Sequence, residues 1–91
     1  MKRDSLADDI RARLQALDPV SIELGDESAL HAGHAGAASG GGHFRLSITS
    51  PAFSGHGKVA RHRMVYAALG DLMRGPIHAL AIDARAPGEP D

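Results

Sequence analysis

Histidine is the residue type most able to carry chemistry in this chain, with six copies, at positions 31, 34, 43, 56, 62 and 78, and no cysteine. An imidazole ligates zinc, copper or iron through one ring nitrogen while a neighbouring acceptor fixes the other N–H. His31 and His34 stand three residues apart in a glycine-rich stretch, a spacing that lets both reach one ion. A stable zinc site usually takes three or four protein ligands, so this pair either needs further donors or is simply solvated. His78 follows Gly75-Pro76 at the start of an apolar run, where a side chain can stand at the rim of a sheet on rigid backbone. The competing reading for His78 is a structural imidazole bonded near a helix end.

Lys58, Arg61, His62 and Arg63 form a basic cluster, either a solvated helix face or a surface for phosphate or carboxylate. His62 itself faces an apolar stripe, which favours a core-edge place over ligation. Gly55-His56-Gly57-Lys58 precedes a helix, whose free N–H groups suit a phosphate, but it lacks the full phosphate-loop spacing and reads best as a turn. Ser28, Ser47, Ser50 and Ser54 have no accompanying histidine–carboxylate pattern that would single out a nucleophile. The expectation is a binding protein and not an enzyme.

The elements that position these residues can be read from periodicity. Leu6, Ile10, Leu14 and Leu17 form one helical stripe, so a helix is predicted from about 5 to 17, opened by a capping box at Ser5 and stopped before Pro19. Val20, Ile22 and Leu24 alternate with polar residues as a half-buried strand does, and Phe44, Leu46 and Ile48 repeat the pattern before Pro51. Between them, residues 25–42 are rich in Gly, Ala and Ser, too long for a hairpin loop and carrying His31 and His34, with His43 just beyond. Val65, Leu69 and Leu72 mark a helix from about Val59 to Met73, ended by Gly75-Pro76. Ile77 to Ala84 is the last strand, with His78, Leu80 and Ile82 expected on one face, and Ala86 to Asp91 reads as a frayed tail. Helix, strand, strand, helix (in one or two pieces) and strand in that order predict a two-layer α+β domain whose last crossover joins parallel strands.

Composition narrows the function classes. Ninety-one residues suit a single domain; 43% are hydrophobic but only 3% aromatic, so aliphatic side chains must build the core. A net charge of −1 argues against a disordered polyelectrolyte or a globally basic coat protein. Without cysteine there is no disulfide or thiolate ligand. No apolar stretch is long enough for a membrane span, and the opening residues have no apolar run of the secretory kind, so a cytoplasmic protein is expected. Charge is polarised: residues 43–74 carry five basic side chains and one acid, residues 1–30 four basic and seven acidic.

Taken together, Asp26-Glu27-Ser28, His31-Ala32-Gly33-His34, His43-Phe44, Ser50, Phe53, Arg61-His62-Arg63-Met64-Val65-Tyr66, Ile77-His78-Ala79-Leu80 and Ala86-Pro87 resemble the BolA family, in order and over nearly the whole chain. The resemblance implies a class II KH-like fold of order αββααβ. It also implies partnership with monothiol glutaredoxins, in which a [2Fe–2S] cluster is bridged by the glutaredoxin cysteine, a glutathione thiol and ligands from the BolA-like chain. The family's C-terminal histidine falls on His78; the second ligand, from the loop between the first two strands, falls best on His31, with His34 as the alternative. The free chain is expected as a monomer or weak homodimer.

A second function comes with the same fold: a DNA-binding regulator using Lys58, Arg61, His62 and Arg63 in a helix-turn-helix manner. A KH nucleic-acid site uses a GXXG loop, and Gly55-His56-Gly57 does not meet it. Three aromatics also leave few platforms for base stacking.

Overall fold

The stripe Leu6, Ile10, Leu14 becomes the buried side of the first helix. In the computed structural model, which describes residues 3–27 and 42–89, α1 spans Arg3–Leu14 and a 3-10 turn extends it over Gln15–Leu17. Ile10 and Leu14 are completely buried. Ser5 lies within α1, so the capping-box start expected there is corrected: the helix already includes Arg3. The chain leaves through Asp18, left-handed at φ 53° with its N–H bonded to the Gln15 carbonyl at 2.9 Å. Aspartate enters that region more readily than most residues, and Pro19 cannot continue a helix.

Strands β1 (Ser21–Asp26), β2 (Gly42–Thr49) and β3 (Ile77–Arg85) lie side by side in chain order, β1 antiparallel and β3 parallel to β2. The middle strand alternates most clearly: Gly42, Phe44, Leu46 and Ile48 are buried, while the residues between them are half-buried or exposed. Ile22 and Leu24 of β1 and Leu80, Ile82 and Ala84 of β3 flank that core. Val20, expected to open β1, precedes the strand and is exposed.

The parallel crossover runs through α2 (Lys58–Leu69), whose Val65 and Leu69 are fully buried. The α geometry does not continue to Met73 as predicted. It stops at Gly70, φ 57°, whose N–H bonds the Tyr66 carbonyl, and a 3-10 stretch carries Leu72 into the core. A side chain at Gly70 would be strained and would meet the Arg13 guanidinium at 3.3 Å. Arg13 donates to the Leu69 carbonyl at 2.9 Å and pairs with Asp71, fastening α1 to the end of α2. The Arg13 hydrogen bond to the Asp71 carboxylate holds that carboxyl below its ordinary range.

Between β2 and α2 there is only a 3-10 turn at Pro51–Phe53. That single helical turn takes the place of the middle helix in the order αββααβ, so the expected two-layer α+β architecture is found. Opened by Pro51 and turned at Gly55 (φ 79°), the segment extends no further than one turn. Ser50 ties this corner together: fully buried, it donates to the Leu17 carbonyl, accepts the Ala52 N–H at 3.1 Å, and bonds the Arg85 carbonyl through its own N–H at 2.9 Å. The ends of α1, β2 and β3 meet there.

Among the described residues no helix is long and apolar enough to cross a membrane.

Candidate functional site

Because β2 and β3 are parallel, both begin at the same end of the sheet. Gly42 pairs with Ile77 but His43 pairs with Ala79, so His78 is the extra residue of a β-bulge. Bulges re-aim a side chain, and this one does. Ile77 is buried, His78 and Ala79 are both exposed, and burial resumes at Leu80. The expectation that His78 shares a face with Leu80 and Ile82 is thereby corrected. The bulge turns His78 out of the core and beside His43, their ring centroids 5.1 Å apart and their planes tilted by 37°.

The backbone around the two imidazoles is pinned from three sides. Gly42 donates to the Pro76 carbonyl at 3.0 Å. A Cβ at Gly42 would lie 2.6 Å from the Phe44 ring and 3.2 Å from the Pro76 carbonyl oxygen, so only glycine fits this approach. Glu27 donates its N–H to the His43 carbonyl at 2.8 Å, and its carboxylate accepts from Arg45 Nε at 3.1 Å. His31 and His34 lie outside the described residues; the described residues that flank them, Glu27 and Gly42, both adjoin His43. Sequence reasoning placed His43 at the end of that segment without a role. Its neighbour became visible only with the bulged register, although the predicted parallel pairing already put positions 43 and 78 near one sheet end.

At the opposite end lies the basic cluster, and there Arg61 is corrected. Its guanidinium donates to the His56 carbonyl at 2.7 Å, to the Ala84 carbonyl at 3.1 Å and to both Glu89 oxygens at 2.6 and 2.8 Å, and its side chain is only 13% exposed. Arg61 is thus a clamp and contributes no free charge to the face. Glu89 also accepts the Ala86 N–H at 3.0 Å, and the Arg61 hydrogen bonds, followed by this one, push its carboxyl down to about 2. The tail expected to fray from Ala86 is consequently held through Glu89, with Ala86 buried. Lys58 and Arg63 are exposed and make no ion pair among the described residues, while His62 is half-buried. Lys58 and His62 line a groove of about 570 Å³ between the start of α2 and the β3 edge. Of the aromatics, Phe44 and Phe53 are buried and only Tyr66, on α2, is exposed.

The described residues contain no group of three or more His, Asp or Glu placed to hold an ion. The pair His43–His78 is the nearest approach to one.

Comparison with known proteins agrees on one family. The family model described as BolA-like protein matches residues 14–89. The mouse protein named BolA-like protein 1 is 46% identical over 81 residues, covering 88% of this chain and 57% of that protein. SufE-like protein 1, chloroplastic/mitochondrial, of Arabidopsis thaliana is 44% identical over 86 residues, which are 23% of its length. The solved BolA domain of SufE1 from the same plant superposes with a TM-score of 0.77 at 41% identity, covering 99% of both chains. This chain thus spans little more than half of the BolA-like protein 1 relatives.

Proposed function

The chain belongs to the BolA-like protein family, and on that premise we propose that it is a partner of monothiol glutaredoxins that shares a [2Fe–2S] cluster through His78, in iron–sulfur assembly and trafficking or in iron regulation. The observation that carries this reading is His78 itself: an exposed imidazole on a bulge whose backbone is locked by the Gly42 approach. The donor chemistry fits. A [2Fe–2S] iron accepts imidazole in place of thiolate, with a raised reduction potential, and a chain with six histidines and no cysteine offers imidazole as its nitrogen donor. Beside the histidines of this chain, the remaining ligands in this reading are thiolates, from glutaredoxin and glutathione. The second histidine in this reading comes from the loop, His31 or His34.

The test is anaerobic co-reconstitution with a monothiol glutaredoxin, glutathione, iron and sulfide, followed by visible circular dichroism and gel filtration. A 1:1 complex with a spectrum distinct from that of the glutaredoxin homodimer is expected. Absence of any complex, with salt-dependent duplex binding in its place, would favour the rival DNA-binding reading. That rival has less support than the sequence suggested. Arg61 is neutralised by Glu89, and no exposed aromatic lies on the sheet among the described residues.

A further inference from the structure

We propose that His43 and His78 together form a preformed two-imidazole site for a borderline transition-metal ion of the zinc or copper class, built by the sheet alone and independent of the loop histidines. The proposal rests on the cluster reading only in treating His78 as a metal ligand; it requires neither glutaredoxin nor glutathione.

Two geometric observations carry it. Imidazoles bind zinc at about 2.0–2.1 Å from the ring nitrogen, so two rings on one tetrahedral ion have centroids roughly 5 Å apart. His43 and His78 stand at 5.1 Å, the separation of two such rings, with their planes tilted by 37° and not stacked in parallel. The second observation is rigidity. Each histidine sits on a strand, and the bulge between them is fixed by the Gly42–Pro76 hydrogen bond and by the absence of room for any side chain at Gly42. A site held by supporting backbone contacts loses little freedom when the ion arrives. His43 is also tied through its carbonyl to Glu27.

Two protein donors leave coordination positions open. The ion would be held incompletely by this chain and completed by exogenous ligands such as thiolates, which suits a surface that meets a partner. Imidazole nitrogen is a good donor for zinc and a still better one for copper in the usual order of divalent affinities.

The experiment is a zinc titration of the whole chain, followed through imidazole ¹H–¹⁵N signals, repeated on His43→Gln, His78→Gln and a His31→Gln/His34→Gln double variant. The expected result is that the His43 and His78 ring signals shift together at one equivalent. Either single variant at the pair should weaken binding on the order of tenfold or more, and combining the two should add little, because one chelate is lost only once. The loop variant should bind as the parent does. Independent titration of the two rings, or loss of binding in the loop variant alone, would overturn the proposal. The joint shift in the parent needs no substitution, so poor folding of His43→Gln would leave the result decisive. Zinc binding at the pair without any glutaredoxin complex would sink the cluster reading and leave this site standing. A normal cluster complex with no joint zinc shift would do the reverse.

Discussion

The two ends of the sheet treat their polar side chains in opposite ways. At the end where β2 and β3 finish, Ser50 and Arg61 turn inward: Ser50 bonds Leu17 and Ala52, and Arg61 bonds two carbonyls and the Glu89 carboxylate. At the end where the same strands begin, the interior is sealed by backbone and glycine, and the half-buried His43 lies beside the exposed His78. One end uses polar side chains to hold the chain; the other holds it through backbone and glycine and brings two imidazoles together. An arginine and a histidine in adjacent family signatures can thus have unrelated roles, and what separates them is where their hydrogen-bond partners come from.

The contrast can be broken from the exposed end first. His78→Ala should abolish the shared-cluster circular dichroism entirely while stability changes by no more than about 0.5 kcal/mol, the usual range for an exposed position; chemical denaturation beside the reconstitution checks both. Gly42→Ala should cost roughly 1–3 kcal/mol by overpacking and should also separate the His43 and His78 signals in the zinc titration, since Phe44 or the Pro76 carbonyl must move. At the other end, Ser50→Ala should cost about 1–3 kcal/mol by leaving the Ala52 N–H and the Leu17 carbonyl without a partner, yet leave the zinc response unchanged.

Smaller effects sharpen the comparison. Glu89 is held at about 2 against an ordinary 4.5. A carboxyl depressed on folding contributes stability in full above its unfolded value and loses it as pH falls through the folded one. Melting temperatures of the parent should therefore fall across that window, and Glu89→Gln should lower stability at neutral pH and flatten the acid limb. Reversing Arg61 to Glu should release residues 86–89, read as amide-exchange protection lost at Ala86 and Glu89. The smallest structural effect is expected from Arg63→Glu, which should leave stability within about 0.5 kcal/mol while weakening glutaredoxin association in a salt-sensitive way. If it instead leaves that association intact and lowers the salt slope of duplex binding by about 0.9, the basic face serves nucleic acid.

The order of elements and most of the core were legible because they follow from local periodicity: Leu6, Ile10 and Leu14 on α1, Phe44, Leu46 and Ile48 on β2, Val65 and Leu69 on α2. The misread features depend on partners distant in sequence or on register. Arg61 looked like a free cation because Glu89, 28 residues away, sat in a segment whose composition reads as a tail. His78 looked like a member of the Leu80–Ile82 face because strict alternation has no means of announcing a bulge, and the same bulge hid its proximity to His43. The 3-10 ending of α2 at Gly70 is hidden in the sequence by the stronger punctuation of Gly75-Pro76. His31 and His34 were equally visible in sequence and fall outside the described residues.

The most direct test of the central claim, that the imidazole end of the sheet is the functional end, is pulsed EPR of the reduced cluster complex made with ¹⁵N-histidine in this chain alone. Strongly coupled ¹⁵N from the chain, lost in His78→Ala and retained in Arg61→Glu, is the expected result. A reduced complex with no coupled nitrogen from this chain, or coupling unchanged by His78→Ala, would contradict it.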